Sequence, residues 1–220
     1  MQLQTENLEI VVSEYKDYGY ENNNSCHVRN YILPPVLKSL VNEKKKLILD
    51  VGCGNGWLVN ELIELGFDAY GIDASETGIG IANRINSGRF FVHNVNKDEL
   101  PLELCNNKFE VIISTEVIEH IYNPKKYIQF CKSILMKAGG GKLIITTPYH
   151  GYLKNLFLAF AGKMDYHYSP LWIGGHIKFW SKKTLTKLLT EENFRIEAFE
   201  GCGRFPYLWK SMLIKASINN

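Results

Sequence analysis

The chain has no long hydrophobic run, no pair of neighbouring cysteines and little net charge. No apolar stretch reaches the roughly 20 residues that a membrane-spanning helix requires. The five cysteines are scattered without a C-x-x-C pair, an arrangement typical of reduced thiols. The formal net charge is +2, so no strong field marks a nucleic-acid or membrane-surface binder. The polar, acidic N-terminus is unlike a signal peptide, and we therefore expect a cytoplasmic protein.

The chain has enough apolar residues to form one full core. Its 220 residues are 45% hydrophobic, which suits one large domain spanning residues 1–220. No internal repeat or low-complexity tract divides it. Two segments fall outside the regular pattern described next. They are an N-terminal arm (1–30) and an insert rich in aromatic residues and histidines (149–180).

Short apolar runs alternate with helical patterns along most of the chain. The predicted strands are residues 47–50, 68–73, 89–94, 109–114, 142–147, 194–200 and 208–216. The predicted helices are residues 31–41, 58–65, a helix capped by Ser75, 117–135 and 183–189. Such alternation is typical of an α/β fold, a doubly wound and mostly parallel sheet with helices on both faces.

The most informative stretch is an apolar run that ends at Asp50 and is followed by glycines at positions 52, 54 and 56. This order indicates a buried strand, a tight turn and the start of a helix. The N–H groups of such a turn suit a carboxylate, whereas Asp50 suits an amine. A ligand that carries both is an amino acid, and S-adenosylmethionine (SAM) contains one. A dinucleotide loop would have its third glycine where this chain has Trp57, and Asp50 would repel a pyrophosphate.

Further polar residues follow the next predicted strands. Asp73 ends the second strand, where its carboxylate can accept both hydroxyls of a ribose. Asn94 ends the third strand, where its amide can pair with an adenine edge or simply form a turn. Thr115 and Glu116 follow the fourth strand. Because ligands bind at the carboxyl ends of the strands in open parallel sheets, we expect these residues to line one site.

Across roughly residues 30–200 the chain resembles class I SAM-dependent methyltransferases. The segments that carry the resemblance are residues 49–56, 71–73, 109–113 and 116–120. It implies a seven-stranded sheet of order 3-2-1-4-5-7-6 with the last strand antiparallel. It also implies the cofactor-binding residues: Asp50, Gly52, Cys53 and Gly54 around the methionyl part, Asp73 at the ribose, Ala74, Asn94 and Val95 at the adenine, and Thr115 and Glu116 after the fourth strand. The family often has an acid where this chain has Asn94.

The segment from Glu116 to His120, Glu-Val-Ile-Glu-His, is the second informative motif. If the predicted helix begins here, Glu116, Glu119 and His120 share one of its faces. Two carboxylates and an imidazole can bind a divalent ion, or act as a base with an orienting acid. The alternative is a solvated helix start with glutamate at its positive end.

This motif resembles that of the O-methyltransferases that act on polyprenyl-benzoquinols and that of the small-RNA 2′-O-methyltransferases. Both have a later histidine, which is His176 in this chain. The resemblance implies that Glu119 and His120 are catalytic. It also implies that Glu116, Glu119, His120 and His176 hold magnesium or manganese. Such an ion would lower the pKa of a substrate hydroxyl and orient it toward the methyl group.

The insert bears on the choice of substrate. Leu153, Leu156, Phe157 and Phe160 have helical spacing, which suits a core helix, a lid over an apolar substrate or a helix in peripheral contact with a membrane. The last two would suit a quinol. A cluster of lysines near His176 leaves RNA open, although the small net charge offers little sign of a basic groove.

These observations predict a SAM-dependent methyltransferase that acts on a hydroxyl of a small, aromatic or quinol-like molecule. The alternatives are a 2′-O-methyltransferase of RNA or a sugar, and a module that binds SAM without catalysis. The set Asp50, Asp73, Glu116, Glu119 and His120 argues against the last.

Overall fold

The structure, a computed structural model, describes residues 20–21, 26–95 and 99–219. Most of the predicted N-terminal arm therefore lies outside the described residues. The strands are β1 Leu47–Val51, β2 Asp68–Asp73, β3 Phe90–Val92, β4 Val111–Thr115, β5 Gly140–Pro148, β6 Arg195–Cys202 and β7 Ser211–Asn219. The helices are α1 Leu33–Ser39, α2 Trp57–Glu64, α3 Glu76–Asn83, α4 Pro124–Lys137, α5 Tyr152–Phe160, α6 Met164–Tyr168 and α7 Lys182–Glu191.

The seven strands form one sheet in the order β3-β2-β1-β4-β5-β7-β6. The pairs among β1 to β5 are parallel, whereas β7 runs antiparallel to both β5 and β6. This confirms the predicted order and the antiparallel last strand. The order reverses direction at β1 and β4, so the carboxyl ends of these two strands border the crevice in which such sheets bind ligands.

The core lies on both faces of the sheet because the central strands are apolar on both sides. Neighbouring residues of β1 point to opposite faces, and Ile48 and Leu49 belong to different core clusters. Ile48 packs in the cluster that includes Leu58 of α2, and Leu49 in the one that includes Tyr127 of α4. A sheet covered by helices on both faces holds the ends of its strands rigidly.

The predicted helix over residues 117–135 is wrong over residues 117–123. Ile118–His120 is a single 3₁₀ turn, and α4 begins at Pro124. The side chain of Asn123 caps α4 by accepting a hydrogen bond from Lys126 N at 3.1 Å. An Asn-Pro pair is a common helix start, so the sequence contained the signal for this boundary.

Other predicted boundaries hold to within a few residues. Ser75 caps α3 by accepting a hydrogen bond from Gly78 N at 2.9 Å, and Ser181 caps α7 with a capping box that includes Thr184. The third strand, β3, is shorter than the predicted residues 89–94. A π-helical turn, Val28–Ile32, precedes α1. All five cysteines are free thiols.

Among the helices of the described residues, none is long and apolar enough to cross a membrane. The cytoplasmic location stays a prediction.

The two ends of the insert (149–180) are hydrogen-bonded to each other. His150 N donates a hydrogen bond to Trp180 O at 2.9 Å, which closes the base of the segment that carries α5 and α6. The core-helix interpretation of α5 is wrong, because its large apolar side chains, Phe157 and Phe160 among them, are exposed to solvent. The buried side chain of α5 is instead Lys154.

Candidate functional site

The glycine loop folds back onto the end of β2. The backbone N–H groups of Gly52 and Cys53 donate to Ile72 O at 2.8 and 3.0 Å. Gly52 has φ +83°, and Gly56, with φ +73°, occupies the N-cap position of α2. Because these left-handed conformations strain any residue with a Cβ, glycine is the residue that suits positions 52 and 56. The loop thus leaves bare main chain at the carboxyl end of β1.

Helix α3 packs closely against the same loop. A Cβ placed on Gly78 would lie 2.6 Å from Gly54 O, and one on Gly54 would lie 2.6 Å from the hydroxyl oxygen of Tyr20. Helix α3 can therefore contact the loop backbone only because residue 78 has no side chain. In the same way, Tyr20 can contact the loop only because residue 54 has no side chain.

Two alanine substitutions in α3 test this contact. We expect Gly78→Ala to destabilise the protein by about 1–3 kcal/mol and to weaken cofactor binding, because α3 must move away from the loop. Gly80→Ala, in the same helix with open space around the new methyl group, should stabilise it by about 0.5–1 kcal/mol. Urea unfolding of the two variants and calorimetry with S-adenosylhomocysteine (SAH) provide the measurements. Equal effects of the two substitutions on stability would contradict the packing argument.

Asp73 connects the loop to α3. Its carboxylate accepts hydrogen bonds from Gly54 N and Ser75 N, each at 2.8 Å. His93 N donates to Asp73 O at 2.7 Å, which holds the segment after β3 beside this corner. The half-buried Ala74, Asn94 and Val95 therefore lie near Asp73, and their contact with an adenine stays a prediction.

Asp50 lies buried under the loop. The strand register places it between Gly71 of β2 and Ile113 of β4, and its side chain is 1% exposed. Neither carboxylate oxygen has a hydrogen-bond partner among the described residues. Burial, with a smaller contribution from the charge of Asp73, raises the pKa of Asp50 to about 8. A buried acid without partners is costly to ionise, and a cationic ligand group beside it would offset that cost.

Glu116 is bound to the sheet instead of pointing into an open site. It has φ +55°, a strained conformation for a residue with a side chain. Its Oε1 accepts from Thr146 Oγ1 at 2.9 Å, and its Oε2 accepts from Ser211 Oγ at 3.0 Å. His27 Nε2 lies 3.6 Å from Oε2. Glu116 therefore ties the end of β4 to β5 and β7, and the expectation that a helix aligns it with Glu119 and His120 is wrong.

Glu119, His120 and His176 nevertheless meet. One potential ligand atom from each of the three side chains lies within 4.8 Å of the others, and Glu116 is not part of this group. The backbone carbonyl of Glu119 accepts hydrogen bonds from the N–H groups of residues 177 and 178, both at 2.9 Å, which holds His176 in place. The imidazole rings of His120 and His176 are 4.9 Å apart. We refer to Glu119, His120 and His176 as the histidine–carboxylate group.

Burial disfavours the charged form of all three residues. Glu119 is 1% exposed, and burial, followed by the nearby charge of Glu116, raises the pKa of Glu119 well above its usual range. Burial lowers the pKa of His120. Burial, followed by the proximity of His120, lowers the pKa of His176 to about 4. Glu119 Oε2 accepts from Thr147 Oγ1 at 3.0 Å, whereas Oε1 is buried and has no partner among the described residues.

Sequence reasoning missed two features of this region. Tyr20 was predicted to belong to the N-terminal arm, yet it lies against the glycine loop. The second feature is the burial of Lys154. The usual pattern of a surface helix has apolar residues inside and charged residues outside, and α5 reverses it. No local signal in the sequence indicates either placement, since both depend on contacts between distant segments.

Comparison with known proteins shows the family of this chain. Residues 25–198 match a family model described as a methyltransferase domain. The ubiquinone biosynthesis O-methyltransferase of Glaesserella parasuis serovar 5 (strain SH0165) is 27% identical over 202 residues, covering 86% of this chain and 84% of that protein. The protein of the same name from Coxiella burnetii (strain RSA 493 / Nine Mile phase I) is 25% identical over 183 residues, covering 82% and 76% of the two chains.

Among solved structures, the magnesium protoporphyrin IX methyltransferase of Synechocystis PCC 6803 with bound SAH superposes with a TM-score of 0.62 at 21% identity. The match covers 84% of this chain and 81% of that chain. At this level of identity the likeness establishes the fold.

Proposed function

The chain belongs to the methyltransferase domain family, and we propose that it transfers the methyl group of SAM to a hydroxyl oxygen of a small molecule. It is a SAM-dependent methyltransferase. The observation that carries the choice of oxygen is the histidine–carboxylate group, which lies beside the carboxyl end of β4. The names of the two curated relatives agree with an O-methyltransferase and with an aromatic or quinol-like acceptor.

The proposed cofactor site follows the geometry of the loop. Asp50 receives the amine of the methionyl part, and the main chain of Gly52, Cys53 and Gly54 faces its carboxylate. Asp73 binds the ribose hydroxyls. The residues next to it, Ala74, Asn94 and Val95, border the adenine, and Thr115 borders the cofactor from the end of β4. The contacts of Glu116 to β5 and β7 support a structural part for this residue at the edge of the site.

The reaction requires positioning and deprotonation, because the sulfonium already makes the methyl group electrophilic. An ordinary phenol has a pKa of about 10, so a base must take its proton at neutral pH. His120 suits this part. Its lowered pKa keeps the imidazole neutral, and Nδ1 lies 3.0 Å from Gly174 O. If Nδ1 donates its proton to that carbonyl, Nε2 is the nitrogen that carries no proton, and it can take the proton of the substrate hydroxyl.

The histidine–carboxylate group also fits a divalent metal ion. Glu119 Oε1 is a buried oxygen without a partner among the described residues, and His120 meets a backbone carbonyl through its other nitrogen, as metal-binding histidines commonly do. Two imidazoles and one carboxylate suit manganese better than magnesium, which prefers oxygen ligands. A bound ion would supply Lewis-acid assistance by lowering the pKa of the acceptor hydroxyl.

A manganese titration in the presence of SAH tests this proposal. We expect one saturable site in calorimetry, lost in Glu119→Gln and retained in Glu116→Gln, because Glu116 binds Thr146 and Ser211 instead. Loss of the site in both variants would place Glu116 among the ligands. Absence of a site in the wild type would contradict the metal and leave His120 as the proposed base.

The structure gives no support to RNA as the acceptor. The lysines near His176 are engaged separately: Lys178 lies over the ring of Tyr122 and Lys182 over that of Phe199. Lys187 lies 3.7 Å from Glu191 of the same helix. These three cations contact different partners, which does not favour the continuous basic groove that a nucleic acid requires.

A further inference from the structure

Lys154 is the most unusual residue of the insert. Its side chain is on the inner side of α5 and only 5% exposed, whereas the apolar residues around it on the helix face solvent. Its ammonium group donates a long hydrogen bond, 3.4 Å, to Lys210 O. Among the described residues, no carboxylate lies within 4.0 Å of it. A buried ammonium group with no carboxylate in direct contact is costly to keep charged, and an anionic ligand beside it would offset that cost.

Other buried polar atoms of the insert have no partner among the described residues. Within the described part of the chain, His150 Nδ1, Asn155 Oδ1 and His167 Nε2 are buried and make no hydrogen bond. The rings of His150 and His167 are 5.3 Å apart. Asn155 lies close enough to His150 to favour its protonated form, yet the two do not reach hydrogen-bond geometry. Buried polar atoms are normally paired, and His150 Nδ1 and His167 Nε2 are therefore two nitrogens that a ligand could satisfy.

Charge interactions connect this cluster to the histidine–carboxylate group. Burial, followed by the positive charge of Arg204, lowers the pKa of Lys154 to about 8, and the negative charge of Glu116 opposes this effect. Burial lowers the pKa of His150 to about 3, with a smaller contribution from Lys154. His176 is also affected by the charge of Lys154, although burial and His120 have larger effects on its pKa. Lys154 therefore lies near the proposed reaction centre, on the side of the insert.

We propose that Lys154, with His150 and His167, binds an anionic group of the methyl acceptor, a carboxylate or a phosphate. The inference rests on the proposed function in one respect, since it takes the occupant to be the acceptor. Lys154 donates to the anion, and each neutral histidine contributes one N–H group. The acceptor is then a hydroxylated molecule with its anionic end under the insert and its hydroxyl beside His120.

A matched pair of probes tests the inference. The probes 3,4-dihydroxybenzoate and 3,4-dihydroxybenzamide differ in one anionic group. We expect wild-type kcat/KM for the acid to exceed that for the amide by about tenfold or more, since hydrogen bonds to charged groups have that strength. Lys154→Met should abolish this preference. The control Lys163→Met, an exposed lysine of the same insert, should retain it. Equal rates for acid and amide in the wild type would overturn the proposal without any variant.

A second measurement separates this inference from the proposed function. Benzoate and inorganic phosphate are titrated by calorimetry into SAH-loaded wild-type protein and into Lys154→Met. Saturable binding of either anion that the variant loses supports the proposal, even if no hydroxyl is methylated, and shows which anion is preferred. Methyl transfer to both catechols with no anion binding would overturn the inference and leave the proposed function intact.

Discussion

Replacing Asp50 by asparagine is expected to weaken SAH binding about 100-fold, because the cofactor amine loses a buried charge partner. Truncating one partner of a buried charge pair typically costs about 2–5 kcal/mol. Asparagine has nearly the same shape, so the loop should keep its conformation. Calorimetric titration of SAH measures the change. Asp68→Asn, at the amino end of β2 and far from the loop, is the matched control and should bind SAH with wild-type affinity.

The same substitution should stabilise the protein without ligand, and the pH dependence has a definite sign. The pKa of Asp50 is about 8 in the folded protein, because of burial and then Asp73, against an ordinary value of 3.8. Since the folded state binds this proton more tightly, its stabilising contribution is complete below pH 3.8 and is lost as the pH rises to about 8. The variant has no such loss, so its advantage in free energy of unfolding should grow across this window. Urea unfolding at several pH values provides the test.

Cofactor affinity should show the opposite trend in the wild type. Because Asp50 must lose its proton to pair with the amine, SAH should bind more tightly as the pH rises toward 8, and Asp50→Asn should lack this dependence. A wild-type affinity that is flat with pH would show that Asp50 is not the partner of the amine.

The sequence predicted the sheet well because the governing signals are local and repeated. The apolar runs of β1 and β4, the turn glycines and the cap of Ser75 each specify their own element. The order of the strands was implied by the resemblance to class I SAM-dependent methyltransferases. The meeting of Asp50, the glycine loop and Asp73 followed, since the carboxyl ends of adjacent parallel strands share one edge.

The site was predicted less well where it depends on distant contacts. Glu116 was placed on a helix because its spacing to Glu119 and His120 fits one. The left-handed backbone at Glu116, and its bonds to Thr146 and Ser211, could not be inferred from that spacing. His176 does lie beside His120, but this follows from backbone hydrogen bonds that Ile177 and Lys178, 58 and 59 positions later in the chain, donate to Glu119 O.

The insert also shows what the spacing of residues in a sequence cannot predict. Helical spacing correctly predicted α5, because spacing determines which residues share a face. It does not determine which face is buried, and the usual assumption that the apolar face turns inward failed at Lys154. Where this assumption fails, the explanation is more often functional than structural, which is why the inward lysine carries the inference about the acceptor.

Removing the imidazole of His120 is expected to lower kcat about 10²–10⁴-fold while leaving SAH affinity unchanged, because general bases contribute on that scale. The His120→Asn variant isolates the effect, since its side chain can still reach a neighbouring carbonyl but cannot accept the hydroxyl proton. His27→Asn is the matched control, because His27 contacts Ser211 and Glu116 and lies outside the histidine–carboxylate group. Methyl transfer to 3,4-dihydroxybenzoate and SAH calorimetry supply the two readouts. A wild-type kcat in His120→Asn would exclude this imidazole as the base, whereas a parallel loss of SAH affinity would indicate that His120 shapes the cofactor site instead.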